Sequence, residues 1–257
     1  FHFMYNKYMR DFLEISIMFI ILTPLEFLFP YVKINFISKR VLEDIFYFIL
    51  NSISRVMILT PLLSLLADQF SRSNIIFSLN IENQSYVLQL FILVVIQDSI
   101  SFFGHYFLHK IPLLWNIHKL HHSSNELTSS SGLRHSLWEM LYNSTLLTLF
   151  TSFLQVNFNV RLIVSIGFQV ICLFQHSNIN WNFNQLISAI FITPHNHRWH
   201  HSINNILPKG QNFGFLFTFW DRVFKSFYLP NERPSIGLND QDFPQNKFKA
   251  YIYPLLK

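Results

Sequence analysis

Five stretches of this chain are too long and too apolar to be one face of a soluble helix, and they constrain the fold before any motif is considered. Phe12 to Pro30 carries only Glu14 and Glu26 as formal charges, and Ile45 to Ala67 is interrupted by Arg55 and Pro61. Tyr86 to Gly104 holds Asp98 near its end. Leu137 to Val156 and Val160 to Phe174 follow, joined only by Asn157, Phe158 and Asn159. About 20 such residues cross a bilayer as a helix. Lipid offers no water to the backbone N–H and C=O groups, so helices are what these stretches form. The expected fold class is all-α: an integral membrane bundle of four to five apolar helices carrying a cytoplasmic helical cap. The last two stretches read as a helical hairpin whose second arm is short for a full crossing and therefore tilted or re-entrant.

Composition narrows the function. Of 257 residues, 51% are hydrophobic and 13% charged, against about 25% charged in a soluble domain, which excludes a disordered chain and an ordinary soluble one. The lone Cys172 excludes a disulfide framework and multi-thiolate metal sites, so any metal chemistry rests on nitrogen or oxygen. The net charge of +5 comes from basic residues scattered beside the apolar stretches and not from a run. That pattern fits membrane topology better than nucleic acid, and no nucleic-acid partner is expected. Lys110, Lys119 and Arg134 outweigh Glu126 between His105 and His135, and Arg198, Lys209, Arg222 and Lys225 outweigh Asp221 between His195 and Pro230. The excess places both segments on the cytoplasmic side. The first stretch lacks a small-residue cleavage site and is expected to span rather than to be removed as a signal, with Met4 the first start codon position. The expected divisions are a transmembrane region over 1–96, a histidine-bearing domain over 97–230 and a cytoplasmic tail over 231–257.

Eleven of the 12 histidines lie from residue 105 onward, most of them in three spaced clusters. His105 and His109 stand one helical turn apart on one face. His118, His121 and His122 form an i, i+3, i+4 set, and His197, His200 and His201 form another. Imidazoles of this number exceed what one ion accepts, and neutral imidazole suits iron, zinc, copper or nickel, so two ions are implied. Asp98 falls on the helical stripe of His105 and His109, where a carboxylate would bind metal or accept the second ring N–H of a ligand. Arg222 beside Asp221 reads as a structural pair that pins the C-terminal segment.

These motifs resemble the fatty acid hydroxylase/sterol desaturase superfamily of membrane di-iron enzymes. The resemblance runs from about Gln97 to Leu229 and includes the stretch from Asp98 to Ser124, Leu133 to His135, Gln175 to Asn178, Thr193 to Ser202 and Asn212 to Tyr228. It implies two iron ions held by His105, His109, His118, His121, His122, His197, His200 and His201, with His176 and, less closely, His135 as further family positions. Asn178 and His195 are expected beside the ligands rather than on the metal. It also implies O2 as co-substrate and a lipid, such as a sterol or fatty acyl chain, hydroxylated or desaturated at a C–H bond.

Zinc would satisfy the same imidazoles, so a zinc-dependent membrane hydrolase and a non-catalytic metal-binding membrane protein stand as alternatives. No histidine is followed by Glu, so the hydrolase motif HExxH is missing. With six Gly and no GxGxxG, the chain has no recognisable nucleotide site, and a separate electron donor, a cytochrome, ferredoxin or reductase, is the expected partner.

Overall fold

The computed structural model describes residues 16–33, 39–72, 79–181, 183, 185–203 and 210–254; the expected first span before residue 16 lies outside them. What is described of that span is a helix, α1 (Met18–Leu28). The next helix, α2, runs Lys39–Ser54, Arg55–Leu59 and Thr60–Arg72 without a break. Prolines 24 and 61 would ordinarily disrupt helices, because each lacks an N–H and its ring meets the carbonyl one turn back. Here both helices widen into a π turn just before the proline, over Met18–Leu22 and Arg55–Leu59. In each, the threonine preceding the proline donates its hydroxyl to the carbonyl five residues back, Thr23 to Met18 at 2.9 Å and Thr60 to Arg55 at 2.8 Å. Pro61 therefore does not divide the second span.

The helix α3 (Tyr86–Lys110) starts at a Ser85 cap and ends where Pro112 forces Ile111 into extended backbone. Pro112 then opens α4 (Pro112–His122), which folds back against α3. After the buried 3-10 turn Ser129–Leu133 come α5 (Leu137–Ser152) and α6 (Phe158–His176). The hairpin linker is extended at Leu154–Gln155, which pair in parallel with Leu79–Asn80, so α5 stops at 16 residues. Asn157 caps α6, which reaches 19 residues. The second hairpin arm is thus the longer one and is not short for a crossing, as its apolar run alone implies. Short helices α7 (Gln185–Ile190), α8 (Pro194–His200), α9 (Phe219–Val223) and α10 (Lys247–Ile252) complete the described fold.

Among the described residues three helices are long and apolar enough to cross a membrane: Lys39–Leu65, Tyr86–Lys110 and Phe158–His176. Their outer faces leave Met57, Val87, Phe91 and Ile163 exposed, the surface a bilayer covers. Inward, Leu93 of α3 packs with Val160, Val164 and Phe168 of α6. Gln89 is buried beside them with both ends satisfied: its amide donates to the Glu82 and Gln84 carbonyls and its oxygen accepts from Asn157 N. The C-terminal segment is anchored, with Phe243, Tyr251 and Tyr253 packed on Tyr47 and Leu120, and Lys119 paired with Asp240 at 2.6 Å.

Candidate metal centre

Four helices deliver the histidines to one place. His105 and His109 occupy the last two turns of α3; His118, His121 and His122 lie on α4; His176 ends α6; His197, His200 and His201 lie on or just beyond α8. A Thr193–Asn196 capping box and Pro194 fix the start of α8. The rings fall into two groups, each able to hold a metal ion. One is His105, His109, His118, His122 and His200; the other is His121, His176, His197 and His201. Within a group the donor atoms lie within 4.8 Å of one another. Successive helical residues point about 100° apart, so each His-His pair is split: His121 and His201 serve the second group, His122 and His200 the first. The groups share a wall, with the rings of His122 and His201 stacked at 4.3 Å between centroids.

The proton positions follow from the outer hydrogen bonds. A carbonyl oxygen only accepts, so a ring nitrogen bonded to one carries the proton and leaves a lone pair on the other nitrogen. His105 Nδ1 meets Phe213 O, His121 Nδ1 meets Arg134 O, His176 Nδ1 meets Cys172 O and His200 Nδ1 meets Gln211 O, at 2.7–3.2 Å. The freed Nε2 atoms of His121 and His176 then face one another at 3.0 Å, and that of His105 faces Nε2 of His118, whose Nδ1 bonds the Glu139 carboxylate, at 3.2 Å. Two bare lone pairs at such a distance repel unless a cation lies between them. A proton is disfavoured, since burial and the neighbouring imidazoles push His121, His122, His197 and His201 well below the ordinary histidine range and His200 down to about 3. His109 Nε2 is buried and without a hydrogen-bond partner. An all-imidazole donor set of this kind fits divalent transition metals.

The other expected residues stand elsewhere. His135 is in neither large group: its Nδ1 bonds Glu139 Oε1 at 2.9 Å, and its ring lies flat on His121, 5.1 Å away and 3° from parallel. Burial opposes its charge, but the facing Glu139 carboxylate outweighs this and holds His135 above the ordinary imidazole range. His121, His135 and Glu139 form a third, smaller group of donor atoms. Asp98, expected at a metal or a ring N–H, instead accepts from the amides of Leu216 at 2.7 Å and Phe217 at 3.4 Å, clamping the loop before α9. Asn178 bonds both Val32 backbone groups and not a ligand. His195 Nε2 meets Pro230 O at 2.7 Å, outside the centre. Arg222 does not pair with Asp221, which is taken up by Phe213 N, Gly214 N and Ser226; it reaches Ala189 O and lies over Phe227.

Sequence reasoning missed Glu139, which is 1% exposed; a charge in the first turn of an apolar stretch, four residues after a histidine, was the available signal. It also missed Asp44, buried on α2, which pairs with Arg134 Nε at 2.7 Å and accepts from Ser130. Leu113, Ile117, Trp138, Tyr142 and Leu146 line an apolar hollow of about 420 Å³ between α4 and α5.

Fold and site together define an integral membrane protein built around a buried polyhistidine centre able to hold two metals. The fatty acid hydroxylase family model matches residues 90–226, just over half of the chain, and the chain belongs to that family, within the fatty acid hydroxylase/sterol desaturase superfamily. It is 32% identical over 147 residues to the ornithine lipid hydroxylase OlsE of Rhizobium tropici, covering 55% of this chain and 43% of that protein. It is 30% identical over 154 residues to the alkylglycerol monooxygenase of Homo sapiens, covering 57% of this chain and 32% of that protein. The chain therefore spans less than half the length of these relatives. No solved structure matches it.

Proposed function

We propose that this protein is a membrane-bound oxygenase that uses O2 and electrons from a separate donor to hydroxylate or desaturate a C–H bond of a lipid. The observation that carries this reading is the pair of adjoining all-imidazole groups in a member of this family, with Nε2 atoms facing one another. Two iron ions are the metals proposed: side chains alone cannot activate O2, and iron supplies that redox chemistry where zinc cannot. His105, His109, His118, His122 and His200 would hold one, and His121, His176, His197 and His201 the other.

The chain's own residues perform the remaining work. Backbone carbonyls of Arg134, Cys172, Gln211 and Phe213 hold four rings in one tautomer, so the ligands are oriented before any metal arrives. Trp115 covers His109 and His122, with ring centroids 4.9 and 5.2 Å away, and helps exclude water. The apolar hollow beside α4 offers hydrocarbon a place next to the histidine helix. Ornithine lipid and alkylglycerol, in the names of the two relatives, both support a lipid substrate. Which C–H bond reacts is then a matter of placement, to which such reactions are sensitive at the ångström scale. The loop charges support a cytoplasmic centre, where a cytochrome, ferredoxin or reductase would dock.

The test is lipid mass spectrometry of cells with and without the intact protein, and of the purified chain with iron, reductant and O2. A gain of one oxygen or a loss of two hydrogens, abolished by His121→Ala or His200→Ala, is the expected result. Product formed equally without O2 would refute the oxygenase and favour a zinc hydrolase; unchanged function in both variants would point to a non-catalytic protein.

A further inference from the structure

Of the five rings whose outward nitrogen is fixed, four bond backbone carbonyls and one bonds a carboxylate. His118 Nδ1 lies 2.9 Å from Glu139 Oε1, and the same oxygen accepts from His135 Nδ1, also at 2.9 Å. Glu139 is 1% exposed, and its second oxygen, Oε2, has no hydrogen-bond partner. Burying a carboxylate with one oxygen unpaired costs stability. Helix capping does not account for it, because Ser136 already caps α5 by accepting from Glu139 N. What the position does provide is one oxygen shared by two imidazoles. One of these, His118, aims its Nε2 at His105 in the five-ring group. The other, His135, lies flat on His121 of the four-ring group.

We infer that Glu139 is a positioning residue for both halves of the centre: it keeps the proton of His118 on Nδ1, makes that ring a stronger donor than its carbonyl-bonded neighbours, and braces His121 through His135. The physical basis is general. A carboxylate accepting the outer N–H of an imidazole draws that proton toward itself and raises the electron density on the inner nitrogen. A carbonyl does so more weakly, because it carries no net charge. Two metals held by similar rings would then differ in ligand strength, with the stronger donor in the five-ring group. The inference rests on the dimetal reading above.

The test titrates the metal-free full chain in lipid nanodiscs with Co(II), followed by calorimetry and by the visible absorption of the bound ion. The unaltered chain is expected to take up two equivalents. Glu139→Gln keeps the size and one acceptor oxygen but removes the charge. It is expected to weaken the step that depends on His118 roughly 10- to 100-fold, with a changed spectrum for that ion, and to weaken the other step by a smaller factor through the loosened His135–His121 contact. His118→Ala is expected to impair the same step. If Glu139→Gln leaves both steps and both spectra unchanged while His118→Ala does not, the inference is wrong and the dimetal reading stands. If the unaltered chain takes up no Co(II), the dimetal reading itself fails. Should Glu139→Gln not fold, Glu139→Asp withdraws the carboxylate by one methylene: the same step should weaken, and wild-type affinity at both steps would overturn the inference.

Discussion

The ion pair between Asp44 and Arg134 offers a test of how the fold holds the centre. Arg134 Nε and Asp44 Oδ1 are 2.7 Å apart, with side chains 5% and 1% exposed. Removing one partner of such a buried pair strands the other charge and costs about 3–5 kcal/mol. Glu43 Oε2 also lies 3.5 Å from Arg134 and retains part of the compensation, so Asp44→Ala should fall near the lower end, about 3 kcal/mol. At roughly 2–4 °C per kcal/mol for a chain of this size, the melting temperature should drop by about 6–12 °C. The effect should reach the metal centre, because the Arg134 carbonyl holds His121 Nδ1. Asp44→Leu combined with Arg134→Met removes both charges and should recover most of the loss, as apolar replacement of a buried pair often does. The assay is thermal unfolding in detergent, with bound metal measured in parallel. A single variant that melts with the parent, or a double variant no better than the single, would refute the reasoning.

Two further outcomes are expected. In the metal-free protein His121, His122, His197, His200 and His201 are held below the ordinary histidine range when folded and titrate near 6.5 when unfolded. Their lowered values, about 3 for His200, mean that their contribution is complete above about pH 6.5 and is lost progressively as pH falls. Melting temperature measured from about pH 7.5 down to about pH 5 should decline, and a flat profile would contradict the assigned neutral rings. Gly132→Ala would place a Cβ 3.2 Å from His176 Nδ1 and 3.4 Å from the Cys172 carbonyl to which that nitrogen bonds. Metal analysis should show loss from the four-ring group, and full retention of two ions would argue against His176 as a ligand.

The amino-acid order alone determined the helical, membrane-suited class, because runs of apolar residues report directly on the solvent they require. It also determined the i, i+3, i+4 spacing that puts His118, His121 and His122 on one side of a helix, since that geometry is local. Which metal each ring can serve was not local. Helix geometry turns adjacent His121 and His122 about 100° apart, but the group each joins depends on the rings that other helices bring to α4, and lone His176 gains its place from the three rings packed around it. Acidic residues were the least legible, because a carboxylate's role lies in its partner. Asp98 finds Leu216 118 residues away, Asp44 finds Arg134 90 residues away, and Glu139 joins two imidazoles brought together by the fold. Lys119 and Arg134, which look like loop charges, are closed into ion pairs inside the protein. Periodicity fixes which side chains share a face; only packing brings two distant faces close enough for lone pairs and charges to meet.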